Sequence, residues 1–409
     1  MMIQHWTVKG SQQLENQIDQ MILDLRSRLS HAFGPHEYKN VVISGGYGRG
    51  EGGVEWIQGQ EVLHNNLDLI WVAPAGASLE QIRTKLQAES LYFEEHYQVV
   101  LDTFVIAENR LKHLPCLVML YDMREGHRVI LGKEGYLQGL IPYQSQDILP
   151  SDIRNLLINR GALLLINRWI LSQGICSQAL RKQIIRHAMK AIVGMGDALL
   201  FMLGQYHWSY QVKARRMAQC FELPLAVRKL YQQAIDFRFS PDYSQWEDIN
   251  LIAWNEMLLA EFQKSHQAFE SWRLGVPSAQ FVWSAYIERA LKSQWQSEWH
   301  YRGVALRKFK NLVLNQNVSQ GLSISANLGL RCTDSASLLA IIFPFVAYQA
   351  SSQNDLNWIA RQLQLEPEQL SESLLLDSYL KTWGAYLDPA LLPKLKQWKH
   401  QAQVLEMAL

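Results

Sequence analysis

The stretch VVISGGYGRGEGGVEWIQGQEVLHNNLDLIWV, residues 41–72, sets six glycines between Gly45 and Gly53 after one β-branched run, and the run that follows contains an aspartate, Asp68. "NVVIS" and "LDLIWV" read as short strands, and "YQVVLDTFVI" (residues 97–106) reads as a third. The pleat puts Asn66, Asp68 and Ile70 on one face, while Val100, Asp102 and Phe104 share a face of the third strand. A carboxylate buried among Val, Leu and Phe is costly unless a cation, a donor or water compensates it. Two neighbouring strands that each carry such an aspartate suggest a shared cation. The competing structural readings are a plain tight connection for the glycines, a capping or pairing role for Asp68, and a satisfied core acid for Asp102.

Outward from this stretch, Leu14, Ile18, Ile22, Leu25, Leu29 and Phe33 recur at helical spacing, which predicts an amphipathic helix over 11–33. Ser78 with Gln81 forms a capping pattern ahead of Leu79, Ile82 and Leu86, so a helix is expected between the second and third strands. After Pro150 the strand signal fades into long helical patterns. The period change sets a boundary near 145–150, and "LGVPSAQ" (residues 274–280) marks a possible further division.

At 409 residues the chain has room for two or three domains of about 150 residues. Its composition, 48% hydrophobic, is that of a folded globular protein. A formal net charge of +1 gives no general attraction to nucleic acid or to anionic membrane. Cys116, Cys176, Cys220 and Cys332 are far apart without a CxxC pair, and read as buried thiols of a reducing compartment. The N-terminus lacks the basic and apolar tract of a secretory signal. The longest apolar run, Leu338 to Tyr348, is shorter than the roughly 20 residues that span a bilayer and contains Pro344. A cytoplasmic protein without membrane partners is the expectation.

Several chemistries lack their motifs. The twelve histidines form no H-x-x-x-H pattern, no G-x-x-x-x-G-K-[ST] occurs, and there is no G-x-S-x-G elbow. Gly48, Gly50 and Gly53 do satisfy G-x-G-x-x-G, with Asp68 placed 20 residues beyond Gly48. In a dinucleotide site, however, the acid ends the second strand, whereas Asp68 starts it, and the Gly59-containing segment between is a poor crossover helix. Mg²⁺ suits the pattern better, because it takes oxygen ligands and keeps waters and substrate phosphates. Glycine backbone can approach those phosphates closely, and Arg49 offers charge.

Gly45-Gly46 at a strand end, Asn66-Leu67-Asp68 and then Asp102 on a later strand resemble the signature of the nucleotidyltransferase superfamily. More narrowly, "GGYGRGEGGVE", "NNLDLIWV", "LYDMREGHRVILG" and "LLINRGALLL" look like bacterial nucleotidyltransferase-like proteins with a helical C-terminal part; the likeness covers roughly residues 40 to 210. The resemblance implies an α+β protein: a small mixed-sheet domain over 1–147, then a mainly helical region over 148–409 with a possible subdivision near 277. It implies Mg²⁺ or Mn²⁺ at Asn66, Asp68 and Asp102, and an NTP held by Gly45, Gly46, Tyr47, Gly48, Arg49 and Gly50. Asp68 and Asp102 would be catalytic, Asp102 orienting or deprotonating a hydroxyl of an unidentified acceptor, a small molecule or protein rather than nucleic acid. Asn66 departs from the family, which has an aspartate there. An amide brings no charge, so a nucleotide-binding or interaction protein without turnover is the alternative.

Other residues carry weaker expectations. Arg49 and Glu51 pair with each other or with solvent. Asp122 sits in a turn between strands with Gly126 as its turn glycine. In "RNLLINRGALLLINR" the arginines, Arg154 included, are solvated on a domain-joining helix, or Asn159 or Arg160 faces the cleft. Asp197 pairs with Lys190 or Arg186, or holds a substrate amine or hydroxyl. The tract from Arg289 to Asn311 interleaves Trp295, Trp299 and Tyr301 with Lys292, Arg302, Arg307, Lys308 and Lys310; it is an amphipathic helix with a solvated face, or a base-stacking surface.

Overall fold

Strand propensity and burial select the sheet. In the computed structural model, which describes residues 5–174, 177–319, 321–348, 353–366 and 370–398, β1 (Asn40–Ser44) is buried along its whole length. The tight hairpin of β2 (Val54–Ile57) and β3 (Gln60–Leu63) follows, then β4 (Leu67–Ala73), β5 (Leu101–Ala107) and β6 (Arg128–Gly132). The main sheet has the order β5-β4-β1-β6, with β4 parallel to β5 and β1 antiparallel to both β4 and β6. The chain is thus α+β, a small mixed sheet followed by mostly helical structure.

Both sheet faces are covered. Leu67, Leu69, Trp71, Val41 and Ile43 pack with Leu14, Ile18, Leu25, Leu86 and Phe93 from the helices Gln12–Ala32 and Leu79–Tyr97. Ser11 caps the first helix by accepting from the Leu14 N–H, and Ser78 caps the other by accepting from the Gln81 N–H, the latter as its sequence pattern predicts. Val42, Ile70, Val72 and Ile106 point to the other face, under Leu120, Met123 and Leu137. Asp68 and Asp102 lie on this second face, by their two-residue offset from Ile70 and Phe104.

The compact unit that holds the sheet ends its first segment at Leu149 and also takes in residues 206–222 and 232–242. Sequence periodicity assigned those two segments to the helical region. A second unit comprises 150–205, 223–231 and the chain from 243 onward, and residues on both sides of Pro277 fall within it. Its helices Pro150–Ser172 and Gln178–Met202 pack along each other and against Leu251–Arg273. Cys116, Cys220 and Cys332 are buried, while Cys176 lies outside the described residues. No helix among the described residues is long and apolar enough to cross a membrane; the run at Leu338–Tyr348 falls in the buried helix Ser335–Tyr348.

The segment after the glycines, read from the sequence as a poor crossover helix, is a hairpin that turns at Gln58 and Gly59, both with positive φ (51° and 80°), as a two-residue hairpin loop demands. Two expectations fail here. Arg154 is fully buried rather than solvated. The basic tract forms the helices Tyr286–Gln296 and Arg302–Leu314, and on the second the outward side chains include Leu306, Phe309 and Val313, whereas Lys308 is buried and donates to the Ser297 carbonyl at 2.5 Å.

Candidate nucleotide and metal site

The parallel register sets Asp68 directly beside Asp102, so the two aspartates that sequence alternation singled out are neighbours on one face. Their environments differ. Asp68 is half-buried, but Asp102 is exposed, which corrects the picture of two carboxylates sunk in apolar surroundings. Burial, and then the charge of Asp102, push the Asp68 carboxyl above the ordinary carboxylate range, against the pull of Arg49 and Arg238. Asn66 is exposed, and its amide donates to Asp102 Oδ2 at 2.8 Å.

The glycine segment is a single helical turn, Gly45–Gly48, with Gly50 at φ 74° closing it. Gly45 has φ 65°, and the Asp68 carboxylate lies where a Cβ would stand, so only glycine fits beneath that acid. A Cβ on Gly48 would overlap the Ile43 carbonyl. Tyr47 turns into the core, where its hydroxyl donates to the Gly53 carbonyl at 2.9 Å. Its phenol therefore holds the turn together, and any nucleotide contact at this position falls to the backbone.

Arg49 and Glu51 do not pair with each other. Arg49 Nη2 meets Asp122 Oδ2 at 2.8 Å with both side chains largely buried. Asp122 is in the helix Val118–Glu125, not in a turn, and also accepts from the Tyr206 hydroxyl at 3.1 Å; Gly126 closes that helix by donating its N–H to the Asp122 carbonyl. Burial works against the Arg49 charge, but Asp122 together with Tyr210 and Tyr206 more than offsets it and raises the guanidinium pKa. Glu51 is buried and accepts from the backbone N–H groups of Tyr210 (2.8 Å) and Gln211 (3.1 Å) and from the Ser209 hydroxyl. It thereby places a carboxylate at the positive end of the helix Tyr210–Gln219.

That helix brings in residues the sequence reading missed. Tyr210 is surrounded by cations: the Arg238 guanidinium lies 4.2 Å from its ring centroid, the Lys213 ammonium 4.0 Å and the Arg49 guanidinium 5.1 Å. Arg238 reaches over Gly46, at 3.7 Å from where a Cβ would be, and its Nε is buried with no hydrogen-bond partner. Lys213 is fully buried. These groups lie 140 residues or more along the chain from the glycine turn, and nothing local in "SYQVKARR" or "DFRFS" ties them to it. An acidic pair and a cation cluster thus flank one glycine turn.

The donor set permits a hard divalent cation on limited terms. Asp68 and Asp102 supply two adjacent carboxylates, which suits an ion that completes its shell with water and phosphate oxygens. Among the described residues no group of three or more His, Cys, Asp or Glu could hold a metal ion. Comparison of the chain with protein-family models, with curated proteins and with solved structures found no match.

Proposed function

We propose that the sheet-containing unit binds a nucleoside triphosphate with Mg²⁺ or Mn²⁺, and that the protein transfers the nucleoside monophosphate to a hydroxyl of a small-molecule or protein acceptor in the cytoplasm. The observation that carries the reading is the in-register pair Asp68 and Asp102 beside a glycine turn that Arg238 overhangs. Asp68 and Asp102 would hold the cation, which supplies charge neutralisation on the transferred phosphoryl group. Arg238, Arg49 and Lys213 supply the positive field for the phosphates, and Gly45 and Gly46 leave the backbone open to close approach. Asp102 is the exposed member of the pair and is the candidate to orient or deprotonate the acceptor hydroxyl.

One observation favours binding without turnover as the second reading. Asn66 spends an N–H on Asp102, so it acts as a donor to the carboxylate where the resembling enzymes carry a negative ligand. Calorimetry with ATP, CTP, GTP and UTP, with and without Mg²⁺, tests the shared core of both readings. Metal-enhanced binding of at least one nucleotide, lost in Arg238→Gln, supports it; a folded protein that binds none of the four contradicts it. Pyrophosphate release then separates the enzyme from the binding protein.

A further inference from the structure

The helical unit contains a buried polar cluster that takes no part in the site above. Arg154, His266, Glu270 and Tyr286 are each fully buried, and Arg273 is nearly so. Glu270 takes Arg273 in a two-pronged ion pair at 2.7 and 2.6 Å, which occupies both carboxylate oxygens. Arg154 uses Nε and Nη2 on the side-chain oxygen of Asn155, a neutral partner, and its Nη1 is buried without a hydrogen bond. Two guanidiniums thus share one fully buried carboxylate; of the further acids that act on them, Asp334 is itself paired with Arg307 at 3.4 Å and Glu298 accepts from the Ser151 hydroxyl at 2.8 Å. The excess charge is positive.

The other buried groups here without a hydrogen-bond partner are His266 Nε2, Trp283 Nε1 and the Tyr286 hydroxyl. His266 stays neutral, its pKa pushed down to about 4 by burial. Its Nδ1 lies 3.2 Å from the Tyr348 hydroxyl, and in the tautomer in which Tyr348 is the donor the ring proton sits on Nε2, which is buried without a partner. Trp283 Nε1–H is likewise unpartnered, and its ring lies 5.0 Å from that of His266 and 5.1 Å from that of Tyr286. Arg154 Nη1 and Trp283 Nε1 are donors, the Tyr286 hydroxyl is also buried without a partner and can donate, and His266 Nε2 donates in the tautomer in which Tyr348 donates to Nδ1. An anion accepts from all of these.

We propose that this cluster is a binding site for one small monovalent anion of the halide type, held by Arg154, Trp283 and His266. Its single charge matches the single excess guanidinium. Separate N–H donors on three side chains suit a spherical acceptor better than a flat carboxylate, and the aromatic walls suit a polarisable, weakly hydrated ion. Binding of this kind would couple to folding, because the donors come from the helices Pro150–Ser172 and Leu251–Arg273 and from the turn Trp283–Ala285, which only the fold brings together.

The test uses the full chain. Thermal melts are recorded while chloride replaces gluconate at constant ionic strength, and crystals grown in sodium bromide are examined for anomalous scattering. The expected result is a saturable rise in melting temperature of about 3 °C or more, a bromide peak within hydrogen-bonding distance of Arg154 Nη1, and loss of the chloride response in Arg154→Leu. Trp283→Phe, which removes one donor and keeps the ring, should weaken the response at least fivefold in half-saturating chloride and carries the test if Arg154→Leu does not fold. Equal melting in chloride and gluconate with no bromide peak at the cluster overturns the proposal. So does a chloride response undiminished in the variants.

Discussion

Asp122→Asn isolates the buried ion pair that fixes the glycine turn. The substitution keeps shape and leaves an oxygen for the Tyr206 hydroxyl, but it strips the Arg49 guanidinium of its carboxylate in a place where the two side chains are 8% and 12% exposed. Across 2.8 Å the attraction is roughly 6 kcal/mol at an effective dielectric of about 20. Desolvation of both ions offsets much of that in the intact pair, but breaking the pair from one side leaves the desolvation of Arg49 uncompensated, and such losses run at about 3–5 kcal/mol. For a unit of this size that corresponds to a fall of about 10 °C in melting temperature. Urea and thermal unfolding followed by circular dichroism measure it. The double variant Arg49→Met/Asp122→Asn removes the stranded charge and should recover more than half of the loss. A single variant that melts within 2 °C of the parent, or a double variant no better than the single, would refute the reasoning.

Three further outcomes follow from the same geometry. Glu51→Gln keeps one acceptor at the start of the helix Tyr210–Gln219 but turns an amide donor toward backbone N–H groups, so it should cost about 2 kcal/mol and speed hydrogen exchange at Tyr210 and Gln211; unchanged exchange would contradict the capping role. The folded-state pKa of Asp68 is raised, so its contribution to stability is full below the unfolded value near 4 and is lost as pH climbs through the folded value. In EDTA, Asp68→Asn should therefore stabilise the protein at pH 7 and flatten that loss, and a less stable variant at pH 7 would show that the charged carboxylate supports the fold. Gly45→Ala forces a side chain into positive φ and against the Asp68 carboxylate, which should cost about 1 kcal/mol or more and abolish metal-dependent nucleotide binding.

How much the sequence revealed depended on the range of the interaction. The period-two strands made Asp68 and Asp102 legible, because alternation fixes the face and parallel pairing makes them neighbours. The helix after Ser78 was legible through its capping pattern, and the helix after Ser11 through the helical spacing of its apolar residues. Asp122 was misplaced because a glycine three or four residues after a short apolar run reads equally as a turn glycine or as a helix terminator, and Gly126 is the latter. Arg238, Lys213 and Tyr210 carried no signal: they meet the glycine turn only by tertiary packing. Arg154 was read as solvated because arginine ordinarily is, and only the structure reveals its burial and its unpaired Nη1.

The account stands or falls most directly on where a cation and a triphosphate settle together. A crystal structure with a non-hydrolysable ATP analogue and Mn²⁺, with anomalous data, measures both at once. The account predicts one Mn²⁺ peak bridging the carboxylates of Asp68 and Asp102, with phosphate oxygens on the side facing Gly46 and Arg238. An analogue bound elsewhere, or the site left without Mn²⁺ at saturating metal while Asp68 and Asp102 remain free of neighbouring molecules, would contradict it.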